Sequence, residues 1–173
     1  MGTQLSQMRL RSLLDYDAET GRFIWMERPE KTRYDRAWNA KHASKPAGGI
    51  DFRGYHVIRV DRVLYGAHRL AWLYVTGEFP GEIDHINRDR ADNRFSNLRA
   101  CSHAENTRNT TLRKDNAAGL KGVHRHYDGR WRASIAHSGR RHHLGVYATP
   151  DEAHKAYCAA ALSLHGLFAS TGG

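Results

Sequence analysis

The chain has 173 residues, 27 Lys and Arg against 18 Asp and Glu, and a formal net charge of +9; 40% hydrophobic and 26% charged residues mark a folded protein of one ordinary domain or two small ones. Its longest apolar run, Leu70 to Val75, is far short of the roughly 20 residues a membrane span needs, and no apolar segment near residue 1 reads as a signal peptide. Cys101 and Cys158 cannot build a disulfide framework, which leaves a small cytoplasmic protein with a polyanionic partner as the first expectation.

The charge is uneven. Residues 111–150 carry eight basic and two acidic side chains, whereas residues 151–173 carry one Lys and two acids. A polar stretch at 107–119, poor in large apolar residues, reads as a linker. The expected division is therefore a first domain at 1–109, comprising a strand and loop module at 1–66 and a core at 67–109. A linker at 110–118 and a second domain at 119–173 follow.

In chain order, Gln4 to Leu14 is a short amphipathic stretch closed by a turn that runs to Gly21, and Arg22 to Met26 is a strand. Residues 27–49, polar and basic with Pro29 and Pro46, read as a long loop that adds phosphate contacts. Tyr55 to Val60 and Val63 to Tyr65 are β-prone runs joined by Asp61-Arg62, a hairpin. Ala67 to Thr76 has helical spacing, with Leu70, Leu73 and Tyr74 on one side and Gly77 as its stop. The fold class is α+β.

The stretch from Glu82 to Asn109 carries the chemistry. Asp84 and His85 alternate on a short strand, so their side chains face opposite sides. A turn-rich segment with Asn87, Asp89, Asp92 and Asn93 follows, then Ser96-Asn97-Leu98. Ser102 and Glu105 have capping-box spacing, so a helix begins there and carries Asn106 in its first turns. Strand, turn, strand and helix can thus converge a carboxylate, an imidazole and a carboxamide. Such a set suits hydrolysis of a phosphodiester. Neutral His takes a proton from water near pH 7, and a divalent ion held by oxygen ligands neutralises charge at phosphorus. On spacing alone, the same Asn and Asp residues equally suit turn and cap positions.

Asp84-His85, Asn97 and Asn106 resemble the HNH motif of phage and intron-encoded homing endonucleases, a branch of the ββα-metal (His-Me finger) nucleases. Tyr16 to Gly21 and Ala67 to Trp72 are also similar to segments of phage HNH proteins, so the resemblance covers most of residues 8–109. It implies a mixed N-terminal domain containing a ββα-metal motif, with His85 as general base and Asp84 and Asn106 as metal ligands. Asn97 would brace the loop and orient His85. Asp stands here where the first motif letter is His, and Asn stands at the last; such oxygen donors imply Mg²⁺ or Mn²⁺. His103, at the first helical position, and Asn109, one turn beyond Asn106, are rivals for the last letter. His68 reads as structural or phosphate-facing, and Arg88, Arg94 and Arg99 as candidate phosphate clamps.

Residues 119–168 read as three strands and a helix. Leu120 to His126, Arg130 to His137 and Arg141 to Tyr147 are separated by turn signals at 127–129 and 138–140. Thr149-Pro-Asp-Glu152 starts a helix whose apolar stripe, Ala153, Ala156, Tyr157, Ala160 and Leu164, should pack on the sheet. Alternation turns Trp131, Ala133 and Ile135 toward that helix and leaves Arg130, Arg132 and Ser134 exposed, a basic face suited to the major groove. Gly122-Val-His-Arg125, Gly129 to Ile135, His143 to Tyr147 and Glu152 to Tyr157 resemble the Apetala-two, or ERF-type, DNA-binding domain. The resemblance implies a three-stranded antiparallel sheet packed on one helix, with Lys121, His124, His126, Arg130, Ser134, Arg141 and His143 at the matching contact positions. Zinc is disfavoured, because the vicinal His142-His143 point to opposite faces and no Cys pair lies near them or His124 and His126.

Together the resemblances imply a site-specific DNA endonuclease of the homing type that acts on double-stranded DNA. It would be a monomer or weak dimer that nicks as a monomer and breaks both strands only where two chains meet on the duplex, with no membrane and no protein partner, in the cytoplasm of a bacterial host and encoded by a phage or intron. The alternative is a non-cleaving DNA-binding regulator that uses the C-terminal basic sheet. RNA binding is disfavoured, since exposed aromatics for stacking are scarce on the basic face.

Overall fold

A computed structural model describes residues 5–108, 116, 118–169 and 171. The chain divides into two compact units, Met1–Ser102 and His103–Gly173. The division falls after Ser102, ahead of the expected linker, most of which lies outside the described residues. The fold is α+β, with several small sheets.

The first unit runs α1 (Gln7–Arg11), β1 (Leu14–Asp17), β2 (Arg22–Trp25), α2 (Arg33–His42), β3 (Gly49–Ile50), β4 (His56–Val60), β5 (Val63–Gly66), α3 (Ala67–Thr76), β6 (Glu82–His85) and β7 (Leu98–Cys101). Three antiparallel sheets result: β1 with β2, the order β3-β4-β5, and β6 with β7. The first helix is shorter than its amphipathic stretch. Leu14 and Tyr16 turn inward while Asp15 and Asp17 face solvent, a period-two pattern that sets a strand from Leu14 onward. The Asp61-Arg62 turn has φ of 45° and 70°, the mirror-image geometry that matches strand twist in a two-residue hairpin. Gly77 ends α3 in the left-handed conformation, as expected.

The long loop expected at 27–49 instead contains α2. Thr32 accepts the Asp35 N–H while the Asp35 carboxylate accepts the Thr32 N–H, a reciprocal cap. Only Asn39 of this helix is buried, so there is no apolar stripe for a sequence to reveal. The helix is held by polar contacts: the Asn39 carboxamide makes two hydrogen bonds to the Arg28 backbone, and the Arg28 guanidinium lies 3.6 Å from the Trp38 ring centroid.

The core of the first unit gathers Leu10, Leu14, Phe23, Ile58, Val60 and Leu70, all fully buried, with Leu73, Ile83 and Leu98. Each large side chain taken from water contributes about 1.5–3 kcal/mol. Ile83 and Leu98 matter most for function, because they anchor β6 and β7 and so fix where the intervening polar residues stand.

The second unit holds α4 (His103–Arg108), β8 (Val123–Arg125), β9 (Trp131–His137), β10 (Arg140–Tyr147) and α5 (Pro150–His165). The strands form an antiparallel sheet in the order β10-β9-β8. Thr149 and Glu152 close a capping box over Pro150 at the start of α5. Ala153, Tyr157 and Ala161 are the buried face of α5 against Val123, Ala133 and Ile135. Leu164, in the last turn, is exposed, so the buried stripe ends at Ala161. Cys101 and Cys158 are not joined in a disulfide. Among the described residues, no helix is long and apolar enough to cross a membrane.

Candidate active site

The β6–β7 hairpin carries the reactive constellation. Asp84 lies opposite Arg99 and His85 opposite Leu98 in the register, so the carboxylate and the imidazole leave the hairpin on opposite faces. Both are buried, His85 to 5% exposure. Arg99 donates from Nε and Nη2 to Asp84 Oδ2 at 2.9 and 2.5 Å. That guanidinium, expected as a phosphate clamp, holds the carboxylate in place and offsets the cost of burying its charge.

The segment between the two strands is pinned at both ends by one side chain. Asn97 Oδ1 accepts the Asn87 N–H at 3.0 Å and its Nδ2 donates to the Asp92 carbonyl at 2.8 Å. The Ile86 N–H donates to the Asn97 carbonyl and the Arg88 N–H to the His85 carbonyl, each at 2.9 Å. Asp92 receives Asn87 Nδ2 at 2.7 Å and the Arg94 guanidinium at 2.9 and 2.6 Å. The Arg94 contact above all pushes the Asp92 carboxyl down to about 2, and it commits Arg94 to the loop rather than to a phosphate. Asn93, 1% exposed, is held from the far side, where the Tyr16 hydroxyl donates to its carbonyl at 2.7 Å.

His85 meets two further rings. His68, at the start of α3, packs edge-on with centroids 5.1 Å apart and planes at 69°. Tyr55 lies 6.2 Å from His85 and 5.5 Å from His68. The N-cap of α3 is Gly66, which makes no side-chain cap; a Cβ there would come within 2.6 Å of the His68 ring. The glycine therefore lets the imidazole fold back toward His85. Burial, with the charges of His85 and Arg69, pushes His68 down to about 4. Burial also pushes His85 below its ordinary value, against the opposing influence of the Asn93 side chain and of Asp84, Asp89 and Asp92. Both rings are thus neutral at pH 7, and His85 is in the form that accepts a proton.

The structure brings Asp84, His85 and Asn97 together on one hairpin. Asn106 lies on α4 in the second unit, half-buried, and His103 opens that helix; Asn109 lies outside the described residues. Tyr55, from the β3–β4 loop, is a neighbour of His85 that the linear pattern did not reveal, and His68, read as structural or phosphate-facing, packs on His85 from α3. Gly66, where a Ser or Asp cap is usual, was the one signal of His68's placement.

On the second unit's sheet, His126, Arg132, Ser134, Arg141 and His143 line one shallow hollow of about 390 Å³. His124 stands close enough for the charges of Arg132 and Arg141 to add to burial in lowering its pKa. Several of the expected contact positions differ from a plain exposed row. Ser134 is buried and Arg132 half-buried; in the register His143 on β10 is the partner of Ser134, and Val146 and His124 flank Arg132. Arg130 is exposed but bonded through Nε and Nη2 to Asp128 at 2.8 and 2.7 Å. Lys121 lines a different cavity, about 500 Å³, with Ile135, Tyr157 and His165.

Comparison with known proteins places a class on this geometry. Residues 65–108, from the end of β5 through α4, match the HNH endonuclease family. That span includes His68, Asp84, His85, Asn97 and Asn106, and identifies an HNH endonuclease domain. An uncharacterized HNH endonuclease of Acanthamoeba polyphaga mimivirus is 30% identical over 106 residues, 60% of this chain and 54% of the relative. The chain thus spans about half the length of this curated relative. No solved structure matches it.

Proposed function

We propose that this protein is a metal-dependent endonuclease that hydrolyses a phosphodiester bond in double-stranded DNA. The observation that carries the reading is His85, buried and neutral on a hairpin clamped by Asn97 and lying within the span matched to HNH endonucleases. His85 accepts the proton of a water aligned with phosphorus, and Asn97 keeps the loop rigid so the imidazole stays aligned. The products are a 5′-phosphate and a 3′-hydroxyl.

The donor chemistry fits a hard divalent cation. Asp84 supplies a carboxylate oxygen and Asn106, by the motif resemblance, a carboxamide oxygen, the ligand types of Mg²⁺ or Mn²⁺. When bound, the ion neutralises charge on the phosphate and the departing oxygen.

The second unit's sheet supplies binding energy and part of the sequence preference, through Arg132, Arg141, His124, His126 and His143 in a groove of the duplex, as in the ERF-type domain it resembles. One motif per chain makes the protein a nicking enzyme as a monomer, of the homing type. The test is conversion of supercoiled plasmid to nicked and linear forms with Mg²⁺, with Mn²⁺ and with chelator. Cleavage that requires the metal supports the reading; cleavage undiminished by chelator contradicts it.

A further inference from the structure

Phe52 is the most exposed large apolar side chain among the described residues, at 96%. It sits in the five-residue loop that joins β3 to β4, where Ile50 pairs with His56. This loop is not slack. Asp51 Oδ1 accepts the N–H groups of Arg53 and Tyr55, each at 2.9 Å. The Asp51 carbonyl accepts from Gly54 at 2.9 Å, and the Asp51 N–H donates to the Tyr55 carbonyl at 2.8 Å. Four hydrogen bonds to one residue thus hold the turn in a shape that presents the ring to solvent, although folding the ring onto the protein would be favoured by burial.

The surroundings say what the ring meets. The Arg53 guanidinium, exposed and only loosely ion-paired with Asp51 at 3.3 Å, so that a phosphate can replace that partner, lies 5.4 Å from the Phe52 ring and 5.9 Å from the Tyr55 ring. Arg90 stacks 4.9 Å from Tyr55 and donates to the Arg53 carbonyl at 2.9 Å. Tyr55 in turn lies 6.2 Å from His85. Phe52 is thus an apolar tip flanked by guanidiniums and joined by ring contacts to the proposed base. It matches the needs of a duplex, in which phosphates pair with Arg and a flat ring enters between base pairs.

We infer that Phe52 is a wedge that inserts between base pairs of double-stranded DNA beside the bond to be cut, with Arg53 and Arg90 on the flanking phosphates. This deepens the nuclease reading and rests on it for the identity of the ligand. Insertion unstacks one step and bends the duplex, which brings the backbone toward His85 and selects steps that unstack easily.

The experiment uses the whole protein and closed circular plasmid in chelator, where metal-dependent cleavage is off. The plasmid is relaxed by a metal-independent topoisomerase in the presence of wild type, Phe52→Ala or Phe52→Trp, then freed of protein and resolved into topoisomers. A wedge unwinds the helix, so, compared at equal amounts of bound protein, wild type and Phe52→Trp should leave a linking deficit that grows with protein, and Phe52→Ala should leave none. Because Phe52 is exposed, its replacement leaves the core intact, and a thermal melt checks this. The inference is overturned if Phe52→Ala gives the wild-type deficit, or if no protein shifts the topoisomers. A parallel nicking assay with Mg²⁺ separates the two readings. A Phe52-dependent deficit without nicking contradicts the nuclease and keeps the wedge. Nicking by Phe52→Ala at the wild-type rate, rather than about tenfold slower, contradicts the wedge and keeps the nuclease.

Discussion

The two units handle polar side chains in opposite ways. On the β6–β7 hairpin, Asp84, His85, Asn93 and Asn97 are all buried, and Asp84 and Asn97 are fixed by named partners on neighbouring backbone or side chains. On the β8–β10 sheet the polar groups line an open face, and Ser134 is the only one of them that is buried. Chemistry at one phosphorus atom needs a rigid, desolvated base. Recognition along a polyanion needs charges that can reach out. The contrast predicts that damage to the first unit abolishes cutting while binding survives, and that damage to the second weakens binding in a salt-dependent way.

The largest effect should come from Asp84→Ala, which removes the carboxylate proposed to hold the cation and its ion pair with Arg99. Cleavage should fall by about 10³-fold or more, read as single-turnover nicking at saturating Mg²⁺. A loss of less than tenfold would remove Asp84 from the site. Asn97→Ala should follow. It leaves the Asn87 N–H and the Asp92 carbonyl without their partner, costing about 1–3 kcal/mol of stability by denaturant melt, and it should slow nicking by more than it weakens binding. Equal losses in both would mean that Asn97 supports the fold alone.

How far the sequence reached follows the same divide. Asp84, His85 and Asn97 were singled out by their resemblance to a motif compact in sequence, and the structure places them at one hairpin; spacing alone equally suited turn and cap positions. Tyr55 and His68 were not legible as neighbours of His85, since packing of the β3–β4 loop and α3 brings them there from distant sequence. The helix α2 escaped notice because its cap uses Asp35 rather than Glu and its faces are polar. In the second unit, alternation correctly turned Ala133 and Ile135 inward, yet it could not show that Ser134, between them, would be buried as well.

Arg141→Ala tests the other side of the comparison. Each lost phosphate contact should reduce the slope of log affinity against log salt by about 1, with nicking at saturating protein unchanged. An unaltered slope would take Arg141 out of the interface.

The smallest effect concerns pH. The unfolded chain protonates His68 near 6.5, the folded chain only near 4, so the unfolded state binds more protons between those values. Stability is therefore unaffected above about pH 6.5 and declines as pH falls toward 4, by roughly 1–3 kcal/mol. His68→Gln should flatten that decline in thermal melts between pH 7 and pH 4.5. A slope equal to wild type would assign the decline to other groups.

The most direct measurement is a side-by-side comparison of wild type and His85→Ala for plasmid nicking in Mg²⁺ and for affinity to the same DNA in chelator. The proposed chemistry predicts that nicking is lost by about 10²–10⁴-fold while affinity stays within about twofold, since His85 is buried in the first unit and the basic face belongs to the second. Nicking that survives the substitution would contradict His85 as the base, and with it the account of how this hairpin cuts DNA.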